Sequence, residues 1–188
     1  MRILNLNQFN EKMKIVPLSD EEFKRISDRI FYPKTKNELR SIILEHIKKE
    51  GDNCDLNDID VSKITDMSCL FRHMYKFNGD ISKWDVSNVK NMRDMFLGAE
   101  SFNGDISGWD VSNVKNMNHM FWRAKKFNND ISQWNVSKVE NMKCMFNRAE
   151  SFNQDISGWN VSKVKFIEYT FISCPLYDQP EKQPKFNI

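Results

Sequence analysis

The chain has 188 residues, with 28 Lys and Arg against 26 Asp and Glu, so its formal net charge is only +2. This length suffices for one domain or one array of repeats, and it argues against two independent enzyme domains. Basic and acidic residues are interspersed along the chain, which excludes the clustered positive charge typical of proteins that bind nucleic acid or an anionic membrane.

Residues 1–51 do not repeat, and we expect them to form a helical cap. "SDEE" at 19–22 and "TKNE" at 35–38 both match the Ser/Thr-x-x-Glu capping box that opens helices. Gly51 is placed to end the second of these helices. Its apolar face at helical spacing consists of Leu39, Ile42, Ile43, His46 and Ile47.

The chain shows no targeting or membrane signal. Its N-terminal residues lack the charge and cleavage pattern of a signal peptide, and no run of about 18 apolar residues occurs. The four cysteines show no Cys-x-x-Cys spacing, which argues against a zinc ribbon and mildly favours a reducing compartment. A cytoplasmic location is therefore the default prediction.

A strict period of 25 residues begins at residue 52. Valine, serine and phenylalanine recur in every unit at the positions of Val61, Ser62 and Phe71, without any insertion. A unit this short cannot bury its own apolar face, so successive units must stack and share one core. The five units cover residues 52–76, 77–101, 102–126, 127–151 and 152–176.

Each unit is predicted to contain one short strand and one short helix. In the third unit Trp109 and Val111 lie two residues apart, and therefore on one face of a strand. The following "VKNMNHMF" has apolar residues at i, i+3, i+6 and i+7, which is helical spacing, and Ser or Asn precedes it as an N-cap. The predicted fold is an α/β repeat: a right-handed, leucine-rich-repeat-like solenoid with parallel strands, a helical cap and an irregular tail at 177–188.

The motif FNxDISxW(D/N)VSxVxxMxxMF, in register over about 52–178, resembles the repeats of the BspA-like surface proteins, long filed as a family of unknown function. The lead-in "TKNELRSIILEHIKKEGDNC" is also similar to the segment that often precedes such repeats. The resemblance implies a leucine-rich-repeat-like solenoid and, for some members, adhesion or binding of host proteins. It implies no common catalytic site, and it leaves a surface or virion location open beside the cytoplasmic default.

Tryptophan occupies one column of the repeat, and a row of exposed indoles would suit the stacking of sugars. We predict instead that these side chains lie in the core, because each shares a strand face with an invariant valine and the first unit has Ile59 in that position. Trp122 lies outside the column and is the better candidate for an exposed contact. The column consists of Trp84, Trp109, Trp134 and Trp159.

Two polar columns precede each predicted strand. Repeating carboxylates would repel one another unless each is satisfied locally, so we expect a structural ladder of short polar side chains that accept backbone N–H groups. A row of calcium sites is the alternative, although the glycine pattern of calcium-binding solenoids is missing. The columns are Asn78, Asn103, Asn128 and Asn153, and Asp80, Asp105, Asp130 and Asp155.

The outward face of the predicted strands is the expected recognition surface, because stacked strands form an extended sheet. Hydrogen bonding of Asp, Asn and Ser among themselves is the competing interpretation. The candidate partner-binding residues are Asp60, Lys83, Asp85, Asp110, Gln133, Asn135 and Asn160. The variable positions of the predicted helices are expected to be solvated: Lys90, Arg93, Asp94, Lys115, Asn118, His119, Glu140, Lys143 and Cys144.

Catalysis has little support in the sequence. The three histidines lie in different contexts, and no G-x-S-x-G, H-E-x-x-H or phosphate-binding loop occurs. Cys69 and Cys144 share a phase three units apart, at least about 14 Å, which is too far for a disulfide. We therefore predict no enzyme, no cofactor and no metal.

The leading hypothesis is a non-enzymatic repeat module that binds a protein partner through its strand-side surface. The alternative is an architectural component of a virion, mobile element or cell envelope, with self-association through the ends of the stack. A carbohydrate- or calcium-binding solenoid is less favoured. Neither nucleic acid binding nor membrane insertion is expected.

Overall fold

The fold was analysed in a computed structural model that describes residues 31–186, so the predicted capping box at 19–22 lies outside the described residues. The first regular element is α1, Lys36–Glu50. The Thr35 hydroxyl accepts a hydrogen bond from the Glu38 N–H at 3.2 Å, and the Glu38 carboxylate accepts one from the Lys34 N–H at 2.7 Å. Gly51, with φ of +89°, ends the helix by donating its N–H to the Ile47 carbonyl at 2.9 Å.

The predicted apolar face of α1 is confirmed. Leu39 and Ile43 are fully buried, and Ile42 and Ile47 pack partly against the same core. His46 is half-buried, and its Nε2 lies 3.5 Å from the Asp58 carboxylate of the first unit. The helix thus covers apolar side chains that the first unit would otherwise expose.

The short strand and short helix predicted for each unit are wrong as regular elements. Within residues 31–186 the only other helices are two short 3₁₀ helices, Pro175–Asp178 at the end of the fifth unit and Pro180–Lys182 in the tail, so the tail is less irregular than predicted; strand pairing is limited to isolated bridges. Each coil of the repeat is a series of tight turns instead. In each turn a backbone N–H donates to the carbonyl three residues earlier. In the third unit these bonds run from the N–H of Trp109 to the carbonyl of Ile106, and likewise from Val114 to Val111, Met120 to Met117 and Ala124 to Phe121.

The helix prediction fails for an identifiable reason. A spacing of three between apolar residues fits one face of an α-helix, but it also fits consecutive β-turns, each of which closes a bond between residues three apart. His119 and Arg123 have φ of +56° and +60°, and this left-handed conformation interrupts a right-handed helix. The same two positions have positive φ in every unit, with Gly98 at one of them.

Successive units pair in parallel through a stretch that we call the ladder segment: residues 66–73, 91–98, 116–123, 141–148 and 166–173. Bridges join Asp66 to Asn91, Asn91 to Asn116, Asn116 to Asn141, and Asn141 to Phe166. Four N–H groups of each ladder segment donate to four carbonyls of the next, as from Met92 to Asn116 at 2.9 Å. The inter-unit ladder therefore lies in the segment predicted to be helical, and the predicted strand segment is formed of turns.

A continuous aromatic core runs through all five units. The rings of Phe71, Phe96 and Phe121 stack with centroids 5.3 and 5.6 Å apart and nearly parallel planes. A second row, which includes Phe102, packs against the first, with 4.1 Å between the centroids of Phe96 and Phe102. Burial of such large side chains in a shared core supplies the main driving force for stacking the units.

Candidate interaction surfaces

The tryptophan column lies in the core, as predicted. The four indoles are only 4–5% exposed. Each Nε1–H donates to a main-chain carbonyl of the preceding unit, as from Trp109 to Ile81 at 3.2 Å and from Trp134 to Ile106 at 3.1 Å. Buried rings whose N–H groups are already bonded offer no stacking platform for sugars.

Trp122 differs from the prediction of an exposed contact. Its side chain is half-buried, with its ring centroid 4.8 Å from that of His119. Its Nε1 is shielded from solvent and has no hydrogen-bond partner within residues 31–186. The ring contributes to packing beside the ladder segment more than to an open surface.

The two polar columns before each predicted strand form the expected ladder. The Asn78 side-chain oxygen accepts the N–H of Asn103 at 2.8 Å, and Asn103 accepts that of Asn128 at 2.9 Å. In the neighbouring column Asp105 Oδ1 accepts the N–H and the hydroxyl of Ser107, at 3.0 and 2.7 Å. Across residues 31–186 no group of three or more His, Cys, Asp or Glu side chains is placed to hold a metal ion.

The candidate partner-binding residues lie on turns and not on strands. Asp60 is half-buried, and the others, Lys83, Asp85, Asp110, Gln133, Asn135 and Asn160, are exposed. Asp110 Oδ1 accepts the N–H of Ser112 at 2.9 Å. The same bond to the serine two residues later is made by Asp60, Asp85, Asn135 and Asn160.

Two exposed columns in the turns form what we call the acidic face: Asp80, Asp105, Asp130 and Asp155, with Asp85, Asp110, Asn135 and Asn160. The hydroxyl and the N–H of Ser112 hold the pKa of Asp110 below its usual value. Ser107 lowers the pKa of Asp105 in the same way, and Ser82 that of Asp80. These hydrogen bonds favour the ionised form, so the face is negatively charged at neutral pH.

The structure also brings together residues that sequence reasoning placed in solvent. Asp94, predicted to be solvated, is 3% exposed, and Asn118 and Cys144 are buried as well. One Asp94 oxygen lies 3.1 Å from His119 Nδ1, and the other lies 3.4 Å from Arg93 Nε, 3.7 Å from Arg72 Nη1 and 3.7 Å from Cys69 Sγ. Positions 69, 94 and 119 share one phase of the repeat, and this shared phase is the feature of the sequence that indicates their proximity.

The chemistry of this cluster is charge compensation of the buried Asp94 carboxylate by side chains that are themselves partly exposed. Two guanidinium groups and an imidazole surround one carboxylate, which offsets the cost of burying it. Burial raises the pKa of the Cys144 thiol, which is the next member of the column, so that thiol is not activated as a nucleophile. All four cysteines are free, and Asp94 and His119 stand between Cys69 and Cys144 in the column.

The sequence matches one protein family twice. The family model described as Mycoplasma protein of unknown function, DUF285, covers residues 41–139 and again 109–187. This chain belongs to the DUF285 family. The two DUF285 matches overlap at 109–139, as expected when one multi-unit model fits a periodic chain in two registers.

The first DUF285 match begins within α1, so the family pattern includes part of the helix that covers the first unit. The chain matches no curated protein and no solved structure. None of the helices within residues 31–186 is long and apolar enough to cross a membrane.

Proposed function

We propose that this DUF285 chain is a non-enzymatic module that binds a protein partner through its acidic face. We further propose that its repeats are of the BspA-like kind and form a right-handed, leucine-rich-repeat-like solenoid. The parallel ladder and the continuous core support this fold. The observation that carries the function is the acidic face itself, where exposed Asp and Asn side chains recur every 25 residues at fixed positions in the turns.

The geometry of the acidic face suits an extended, multivalent contact. Units that pair in parallel repeat at about 4.8 Å, so each column offers oxygen atoms at a regular spacing. The serine N–H groups fix the conformation of these side chains before any partner binds, which lowers the entropic cost of association. A basic or hydrogen-bond-donating surface is the complementary partner, and each exposed contact contributes modestly.

A charge-reversal variant tests the acidic face. Asp85, Asp110 and Asn135 are all changed to Lys, and partner capture from cells that naturally contain the protein is measured by mass spectrometry. We expect the captured partner to be lost, because three neighbouring units then repel it. The matched control changes Glu150, Ser151 and Glu181 to Lys, which adds the same charge at other exposed positions.

The control variant should capture the same partner as the unmodified chain. Capture that survives the triple change on the acidic face would refute this surface as the binding site. Equal loss in both variants would show that net charge, and not this face, determines the interaction.

A further inference from the structure

The last ladder segment, 166–173, has backbone donors without an acceptor among residues 31–186. In each earlier ladder segment four N–H groups donate to the carbonyls of the next unit, as from Met142 to Phe166 at 2.8 Å and from Phe146 to Thr170 at 2.9 Å. The equivalent N–H groups in the last segment belong to Ile167, Tyr169, Phe171 and Ser173. None of these four has a backbone acceptor within residues 31–186. The edge of the ladder is therefore a row of backbone donors.

Apolar side chains accompany these donors. Phe166, Tyr169 and Ile172 are 49%, 60% and 38% exposed. At the positions matching Tyr169 and Ile172, the side chains of the second and fourth units are buried, namely Asp94, Leu97, Cys144 and Asn147, and at the position matching Phe166 the four inner side chains are half-buried. Phe166 also replaces the Asp or Asn present at this position in every other unit. Terminal repeats usually become more polar where they meet solvent, and this one becomes more apolar.

The tail forms one wall of a groove along this edge. The Ile156 N–H donates to the Lys182 carbonyl at 3.0 Å, which fixes the tail against another part of the last unit. The groove has a volume of about 340 Å³ and lies between Tyr169 and Ile172 on one side and Tyr177, Gln183 and Phe186 on the other. The described tail residues supply no acceptor to the row of donors.

Head-to-tail stacking of two copies is obstructed by α1, which lies against the other end of the ladder. The complementary carbonyls there are those of Asp66, Ser68, Leu70 and Arg72, of which only that of Leu70 accepts a bond from α1 within residues 31–186. Arg40 Nη1 donates to the carbonyls of Cys69, at 3.0 Å, and of Leu70. Lys36 Nζ binds Asp66 and Ser68 beside them, at 2.9 and 2.7 Å. A two-fold pairing of two last segments would place donors against donors.

We propose that the edge formed by 166–173 binds an extended peptide segment of a protein partner, running parallel to it. Carbonyls of the peptide accept the four N–H groups, and its apolar side chains cover Phe166, Tyr169 and Ile172, as in recognition by addition of a strand to a sheet edge. The donors are spaced two residues apart along the chain, so they suit a row of carbonyls better than a single anion. This proposal rests on the proposed function as a protein-binding module and adds a second surface to it.

The test uses the full 188-residue chain labelled with ¹⁵N and a synthetic peptide of residues 114–124, with blocked ends. This peptide contains the whole internal ladder segment 116–123, so it carries the carbonyl row and apolar side chains that the edge requires. We expect saturable binding in which the amide signals of Ile167, Tyr169, Phe171 and Ser173 shift and their hydrogen exchange slows. A peptide of the same composition in scrambled order is the control and should bind at least tenfold more weakly.

Two variants at one position separate the N–H from the side chain. Ile167→Pro and Ile167→Ala both replace isoleucine with a smaller side chain, but only proline removes the N–H, which makes no backbone bond within the described residues. We expect Ile167→Pro to weaken peptide binding at least severalfold relative to Ile167→Ala. Tyr169→Lys, at an exposed side chain, should weaken it without loss of folding, as checked by thermal unfolding.

Several outcomes would overturn the proposal. They are no binding at millimolar peptide, equal binding of the scrambled peptide, equal affinities of the two Ile167 variants, and a dimer in sedimentation whose four edge amides are already protected. The acidic-face triple variant should still bind the peptide, and Tyr169→Lys should still capture the acidic-face partner. Failure of one surface is therefore distinguishable from failure of the other.

Discussion

Trp109 shows at the scale of one residue how a side chain that suggests a ligand site becomes part of a core. Its indole is buried between units and donates to the Ile81 carbonyl. Trp109→Ala should lower the free energy of unfolding by about 3–5 kcal/mol, as measured by chemical denaturation, because it removes a large buried ring and leaves a cavity. Trp122→Ala, at a half-buried ring, should cost clearly less. A near-neutral Trp109→Ala would contradict the core assignment.

The Asp94 cluster yields a second prediction at this scale. Asp94→Ala removes a buried carboxylate that bonds to His119 and leaves the imidazole without that partner. We expect a loss of about 1–3 kcal/mol in the free energy of unfolding. Glu150→Ala, at an exposed side chain, is the control and should change it by less than about 0.5 kcal/mol. If both variants unfold alike, the cluster contributes nothing to stability.

These two residues also show the reach of sequence reasoning at the residue scale. Trp109 was placed in the core because it shares its phase with tryptophan in three other units and with Ile59 in the first. Asp94 was placed in solvent because its column varies, with Cys, Asp, His, Cys and Tyr. Variation between units indicates that the backbone does not require one side chain there. It does not reveal whether different side chains bury one another along the column.

At the scale of the repeating element, the turns of the acidic face predict a pH dependence. Asp80, Asp105 and Asp110 have pKa values lowered from 3.8 by bonds from serine. Because these values are lower in the folded state, the associated stability is complete above about pH 4 and is lost as the pH falls through the folded-state pKa values. Changing all three residues to Asn should therefore reduce the loss of melting temperature between pH 5 and 2.5.

Asparagine is a suitable replacement because Asn135 and Asn160 make the same turn bond without a titrating group. The control changes Glu150, Asp178 and Glu181 to their amides. The carboxylates of these three residues accept no hydrogen bond within the part of the chain that the structure describes. The control should therefore lose as much melting temperature between pH 5 and 2.5 as the unmodified chain. If the turn variant and the unmodified chain lose the same melting temperature, the serine bonds do not link folding to protonation.

The elements themselves were only partly predictable. α1 follows from a capping box, an apolar stripe and a terminal glycine, all of which are local signals. The sequence did not predict the turns of each unit. The spacing of two between Trp109 and Val111 fits a strand, and the spacing of three between Val114 and Met117 fits a helix, but both spacings also fit consecutive turns. Positive φ at non-glycine residues such as His119 has no dependable signature in the sequence.

At the scale of the whole repeat array, the two ends of the ladder differ in chemistry. Between successive ladder segments, the four N–H groups of the earlier unit donate to carbonyls of the later unit. Among residues 31–186 the equivalent carbonyls of the first segment and the equivalent N–H groups of the last segment therefore have no partner in a neighbouring unit. Arg40 of α1 donates to the Cys69 and Leu70 carbonyls at the carbonyl end, whereas Tyr169 and Ile172 surround the donor end with apolar surface. The proposed heterologous partner at the donor end is consistent with this asymmetry, because α1 lies against the carbonyl end and the donor end has exposed apolar side chains.

The sequence alone determined the period, the phase of every core column and the helix that begins after Thr35. These features depend on recurring apolar side chains and local capping, which read directly from residue order. Only the tertiary structure decided which segment of each unit carries the ladder, which side chains contact Asp94, and that the donors at 166–173 have no acceptor in the part of the chain that the structure describes. Those features depend on backbone dihedral angles and on the direction of hydrogen bonds between units. One pattern of apolar spacing is compatible with several sets of dihedral angles and with either direction of hydrogen bonding.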